Sequence, residues 1–214
     1  MRRLLLALAI VACSSILSAA SDGQTVQPST RITCYTTHDA DFFYLAAVVE
    51  KPALQATVTA HFADPSTDDS VSLFLQVVEG PVGAVRSARS IQMSVSAAGG
   101  AQLYRGASAT PLAGPQDFLQ RDGVLQPFKC GVTRQPAGEG TPARFTVEMA
   151  VPWLELGGPP VPSQRMRFNV VLRSAAPGSP SLVSLSPGVK EPRDIQNPSL
   201  WTDIVFADAA VRSV

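Results

Sequence analysis

The stretch Val71-Ser72-Leu73-Phe74-Leu75-Gln76-Val77-Val78 sets an apolar residue at every odd position against Ser72, Phe74 and Gln76 at the even ones. Successive side chains of a strand point to opposite faces, so this period of two predicts a strand with one face fully buried. The same signature returns at Ile91, Met93 and Val95 against Gln92 and Ser94, and at Phe145, Val147, Met149 and Val151 against Thr146, Glu148 and Ala150. A further case sets Met166, Phe168, Val170 and Leu172 against Arg165, Arg167, Asn169 and Arg173. Residues 42–49 are apolar throughout and read as a central strand covered on both faces. Residues 55–62, 128–132, 182–185 and 203–206 are weaker candidates, which brings the expectation to eight or nine strands.

Between these segments lie breakers such as Glu79-Gly80-Pro81, Ala98-Gly99-Gly100, Gly157-Gly158-Pro159-Pro160 and Ala176-Pro177-Gly178-Ser179-Pro180. The chain has 18 Pro and 15 Gly, so long helices have little room. Many short strands punctuated in this way predict an all-β fold, a sandwich or jelly roll whose two inner faces bury each other. One helical turn is expected at Trp153-Leu154-Glu155-Leu156, closed by Gly157. Residues 99–122 lack a period and are expected to form an excursion at one end of the sandwich, where ligand loops tend to sit.

At 214 residues the chain suits one domain, expected over residues 34–210 after a flexible lead-in at 21–33. Met1-Arg2-Arg3, the apolar run 4–12 and Ser18-Ala19-Ala20 together have the make-up of a secretory signal ending near residue 20. Ile10-Val11-Ala12-Cys13 offers a second reading, a lipoprotein signal 1–12 with Cys13 as the lipidated residue and the only membrane attachment. Either reading implies export to the periplasm, the cell surface or the medium. Two thiols then remain, Cys34 and Cys130, and an even pair in an exported protein suggests a disulfide; the alternative is two separately buried thiols. Removing Arg2 and Arg3 leaves 15 basic residues, from 17, against 17 acidic ones. With no clustered Lys and Arg to neutralise phosphates, nucleic acid is not an expected partner.

Signatures of catalysis are missing: no G-x-S-x-G elbow, no H-E-x-x-H, no paired C-x-x-C and no phosphate loop occur, and His38 and His61 are the only histidines. Paired carboxylates are the remaining catalytic option, with Glu148 and Glu155 the suspects. Glu148 falls on the polar side of a strand and Glu155 on a turn expected to be exposed, so the chain reads as no enzyme. Asp68-Asp69 and Asp39-x-Asp41 have the oxygen donors of a calcium site, though such pairs also serve as turn formers and strand caps.

The segments Asp41-Phe42-Phe43-Tyr44-Leu45-Ala46-Ala47-Val48-Val49, Asp68-Asp69-Ser70-Val71-Ser72-Leu73-Phe74-Leu75, Phe145-Thr146-Val147-Glu148-Met149-Ala150-Val151-Pro152-Trp153-Leu154-Glu155-Leu156-Gly157 and Met166-Arg167-Phe168-Asn169-Val170 follow one another in this order. In that order, and in the closing Ser184-Leu185-Ser186-Pro187 and Pro198-Ser199-Leu200-Trp201, the chain resembles family 9 carbohydrate-binding modules from about Asp39 to Phe206. The resemblance implies a non-catalytic β-sandwich that holds a glycan in loops at one end. In sugar-binding members two tryptophans sandwich the ligand, at positions that fall here near Ser66 and Pro192, neither of which is aromatic. The polar residues left at that end are Asp68, Asp69, Arg173, Glu191 and Arg193, with Tyr35 and Tyr104 as aromatic substitutes if the chain after Gly99 folds back. Trp153 and Trp201 fall at packing positions. The competing reading is a sandwich that has lost sugar binding and serves as an envelope interaction or structural module.

Overall fold

Two antiparallel sheets packed face to face carry almost all of the secondary structure. The computed structural model describes residues 30–175 and 181–206, and the backbone of Cys13–Ile16. The expected signal and lead-in, with the lipid attachment at Cys13, lie outside the described residues except for that four-residue strand and the residues from position 30 on. The strands are β1 Cys13–Ile16, β2 Arg31–His38, β3 Phe42–Lys51, β4 Ser70–Val77, β5 Ser90–Ser96, β6 Ala101–Arg105, β7 Thr110–Pro111, β8 Gln120–Arg121, β9 Val124–Leu125, β10 Lys129–Gln135, β11 Ala143–Pro152, β12 Arg165–Ser174, β13 Ser181–Ser184 and β14 Thr202–Val205. One sheet runs β1-β2-β3-β11-β10; the other runs β13-β12-β4-β5-β6-β7, with β14 also beside β12; β8 and β9 form a separate hairpin. The all-β sandwich expected from the sequence is the fold observed.

Alternation builds the core. Ile32, Leu45, Val49, Phe145 and Val147 from the first sheet face Val71, Leu73, Leu75, Met93 and Val170 from the second, all at 0–1% exposure. Each such side chain contributes about 1.5–3 kcal/mol by leaving water. Trp153 closes one end of this core at 1% exposure, edge-on to Phe43, His38 and Phe206, and its indole N–H donates to the Asp39 carbonyl at 3.0 Å. The turn carrying it is a 3-10 turn, Trp153–Leu156, closed as expected by Gly157 in the left-handed region at φ 89°.

Four expectations change. Residues 55–62 form no strand. Their amides bond instead to carboxylates, Gln55 N to Asp69 at 2.6 Å and Thr57 N and Val58 N to Asp68 at 2.7 and 2.6 Å, which replaces a ladder by side-chain acceptors. Arg31–His38 and Ala101–Arg105 are strands instead, so the first sheet takes in the end of the expected lead-in, as well as Cys13–Ile16 of the expected signal, and part of the excursion is sheet. Glu155 is buried at 4% exposure, paired with Arg105 and accepting the Leu119 amide at 3.0 Å. Finally, no disulfide joins Cys34 to Cys130: they sit on β2 and β10 with β3 and β11 between them. Three strand spacings of about 4.8 Å place them roughly 14 Å apart, twice the reach of a disulfide.

Candidate functional site

The register of the second sheet determines which side chains share its outer face. Phe74 is opposite Gln92 and Asn169, and Gln92 is opposite Tyr104. One step along, Ser72 is opposite Ser94 and Val171; one step further, Ser70 is opposite Ser96 and Arg173. Part of this face is roofed. Trp201, at 2% exposure, lies on Phe74 with ring centroids 5.4 Å apart, and with Val171 and Ile195 it makes a second small core that seats the segment 184–201 on the sheet. Its indole N–H donates to the Ile195 carbonyl at 2.9 Å. Both tryptophans are thus packing residues, as the sequence implies.

Beyond that roof the outer face is a polar patch, called the cup below. Its floor is the Ser72 and Ser94 hydroxyl pair, 2.7 Å apart, with the Gln92 amide donating to Ser94 Oγ at 3.1 Å. Tyr104 is half-buried beside it, and its hydroxyl is pushed up first by burial and then by Asp64, against the opposing pull of Arg173. The phenol therefore lies within electrostatic reach of Arg173 across the cup and of Asp64 on the turn Pro65–Thr67, where Ser66 sits exposed. Tyr104 is the aromatic the fold brings to this end. Tyr35 is on the outer face of the other sheet, in a groove of about 680 Å3 shared with Tyr44, Lys129 and Glu148.

Arg86 closes the far wall. Its Nε donates to Ser90 Oγ at 2.7 Å, and its Nη1 to Gln92 Oε1 at 3.3 Å and Gln196 Oε1 at 3.1 Å. Arg86 is 4% exposed, its Nη2 has no hydrogen-bond partner among the described residues, and burial lowers its pKa to about 10. Nothing in the local pattern around Arg86 signals this; its place is decided by residues 4 to 110 positions away.

The residues expected at the ligand end divide. Arg173 lines the cup. Glu191 and Arg193 pair with each other at 2.8 Å on the exposed turn that also holds Pro192, beside a pocket of only about 40 Å3, little more than one water's share of liquid volume. Asp68 and Asp69 do not reach solvent: both are 0% exposed. Asp68 accepts from Thr57 N, Thr57 Oγ1, Val58 N and Ser96 Oγ at 2.6–2.7 Å, and Asp69 from Gln55 N, Ala175 N and the Lys51 ammonium. They anchor the loop 52–69 and have no oxygen facing a ligand, because the donors that surround them are the protein's own. Burial alone would raise the Asp68 carboxyl, but bonds from Ser96, Val58 and Thr57 outweigh it and hold it below the usual carboxylate range. Asp39 is similarly engaged, by the amides of Asp41 and Phe42 and by the Tyr44 hydroxyl. Among the described residues no three His, Cys, Asp or Glu side chains gather as metal ligands.

No protein-family model matches the chain, and no curated protein does. Solved structures do. The chain is similar to a proposed carbohydrate-binding protein from Bacteroides uniformis, with 16% identity and a TM-score of 0.60 over 90% of this chain and 85% of that one. It is also similar to a family 9 carbohydrate-binding module from Caldicellulosiruptor kristjanssonii solved with cellotriose, at 17% identity and a TM-score of 0.58 over 98% and 86% of the two chains. The structure of such a module from the same organism with glucose gives 17% identity and a TM-score of 0.55 over 96% and 86%. The fold of this chain is thus that of the family 9 carbohydrate-binding modules.

Proposed function

We propose that the protein is an exported, non-catalytic carbohydrate-binding-like module whose ligand lies in the cup between Tyr104 and Arg173. The observation that carries this reading is the floor: two serine hydroxyls and a glutamine amide hydrogen-bonded to one another on an outer sheet face, with an aromatic ring beside them. Hydroxyl and amide groups that both donate and accept suit sugar hydroxyls, and a tyrosine ring offers the apolar face of a sugar its surface. Arg173 supplies charge-assisted donors, and the pair Glu191 and Arg193 forms an outer rim. The fold shared with modules solved with cellotriose and glucose supports the same class of ligand. The N-terminal run 4–12 after Arg2 and Arg3 supports export.

The test is calorimetric titration of the purified chain with neutral mono- and oligosaccharides, repeated on Tyr104→Ala and Arg173→Ala. Saturable binding weakened at least about tenfold by each substitution supports the reading; binding untouched by both places the sugar elsewhere and sinks it. Both tryptophans are buried, so tryptophan emission is not the reporter to use. A second reading, an envelope interaction or structural module, is favoured by the non-aromatic Ser66 and Pro192, and a folded protein that binds no saccharide supports it.

A further inference from the structure

Positive charge in the cup is not balanced. The ion pairs of the described residues engage Lys51, Arg89, Arg105, Arg165, Arg167 and Arg193, and neither Arg86 nor Arg173 takes part in any of them. Asp64, a carboxylate that acts on the phenol of Tyr104, caps Ser66 through the amide at 3.0 Å and the hydroxyl at 2.9 Å and forms no ion pair with either arginine, so it offsets at most one of the two cations. Arg86 meets only neutral acceptors and is left with a buried, unpartnered Nη2. A guanidinium taken out of water without an anion is costly, and neutral amide and hydroxyl oxygens recover only part of that cost.

A loop anchor would need no such arrangement. A lysine or glutamine at position 86 could hold Ser90 and Gln196 without burying a planar fork of donors, one nitrogen of which stays empty. Such a fork matches the geometry of a carboxylate or a sulfate, which accept two parallel N–H bonds. Among the described residues the exposed hydrogen-bond partner of Arg86 is Gln196, which accepts from it at 3.1 Å and donates to Gln92 at 3.3 Å. An anion that pairs with Arg86 has to displace that amide.

We infer that the saccharide held in this cup is acidic, with an anionic substituent, a uronic carboxylate or a sulfate ester, paired with Arg86 and drawn in by Arg173. The inference rests on the reading of the cup as a sugar site. It adds that Arg86 is a specificity-determining residue, and that the ligand is recognised by its charge as well as by its hydroxyls. Rim pairs such as Glu191 and Arg193 cancel each other and do not repel an incoming anion.

The experiment titrates the full chain with three oligosaccharides of equal length, one neutral, one uronic and one sulfated, at low and moderate salt. The uronic or the sulfated probe is expected to bind at least about tenfold more tightly than the neutral one, and which of the two does so identifies the anion. The preference should shrink as salt rises and fall to near unity in Arg86→Gln and Arg173→Gln. Arg86→Lys, which keeps the charge and loses the fork, should retain only part of it and guards against a Gln variant that does not fold. Equal affinity for neutral and acidic probes overturns the inference and leaves the sugar site standing. An acidic preference unchanged in the Arg86 variants overturns the role of Arg86, and a folded chain that binds none of the probes removes both readings.

Discussion

Lys51, the last residue of β3, forms an ion pair with Asp69, just before β4, and both are closed to solvent at 3% and 0% exposure. The same ammonium donates to Ser174 Oγ at 2.8 Å, at the end of β12, so one cation ties the two sheets together. Breaking a buried pair strands the remaining charge. Lys51→Met is expected to cost about 3–5 kcal/mol in urea unfolding, whereas removing the exposed pair between Glu191 and Arg193 should cost under about 1 kcal/mol.

Acid should unfold the protein partly through Asp68. Its folded-state pKa is depressed, so its contribution is present above the unfolded value of about 3.9 and is lost as pH falls through the lower folded value. Melting temperatures measured across that window should drop less steeply for Asp68→Asn, which starts from a lower stability because amide and hydroxyl donors lose a charged acceptor.

Tyr44 donates its hydroxyl to Asp39 at 2.7 Å, and burial together with that carboxylate pushes its pKa up to about 12. Ultraviolet titration should find Tyr44 ionising well above the usual value of about 10, with Tyr104 also raised, and Asp39→Asn should bring Tyr44 down and leave Tyr104 in place. The stabilisation is present below the unfolded value and is lost as pH rises through the folded one.

Peptide mapping under non-reducing conditions should recover no cross-link between Cys34 and Cys130, given the two strands between them. Burial raises the Cys130 thiol, so its alkylation at neutral pH should be slower than that of a free cysteine peptide and should accelerate on unfolding.

Strands with a strict period, such as β4 and β11, were legible in the sequence because one face of each is wholly apolar, and their rows meet in the core. β2 was not: after Ile32 and Cys34 the inward positions pass to Thr36 and His38, and the strand exists because β3 pairs along its length. The weaker candidate 55–62 misled for the opposite reason, since Asp68 and Asp69 compete for its amides from a distance in sequence. Of the candidate site, Arg173 and the loops near Ser66 and Pro192 could be named from the resemblance, but the Ser72 and Ser94 floor looked like ordinary polar positions on a half-buried strand.

By itself the sequence determined an all-β sandwich, the strands of its core, the packing role of its tryptophans and the absence of known catalytic signatures. The fold and its strands follow from alternation and local residue chemistry, which are read along the chain, and the packing role of the tryptophans follows from the resemblance to family 9 carbohydrate-binding modules. Tertiary structure alone decided that Asp68 and Asp69 are anchors, that Cys34 and Cys130 stand apart, and that Tyr104, Arg173 and Arg86 converge on one face. Those are matters of register and strand order, set by the sum of many weak contacts between residues far apart in sequence, and no local pattern encodes which neighbour a polar side chain will meet.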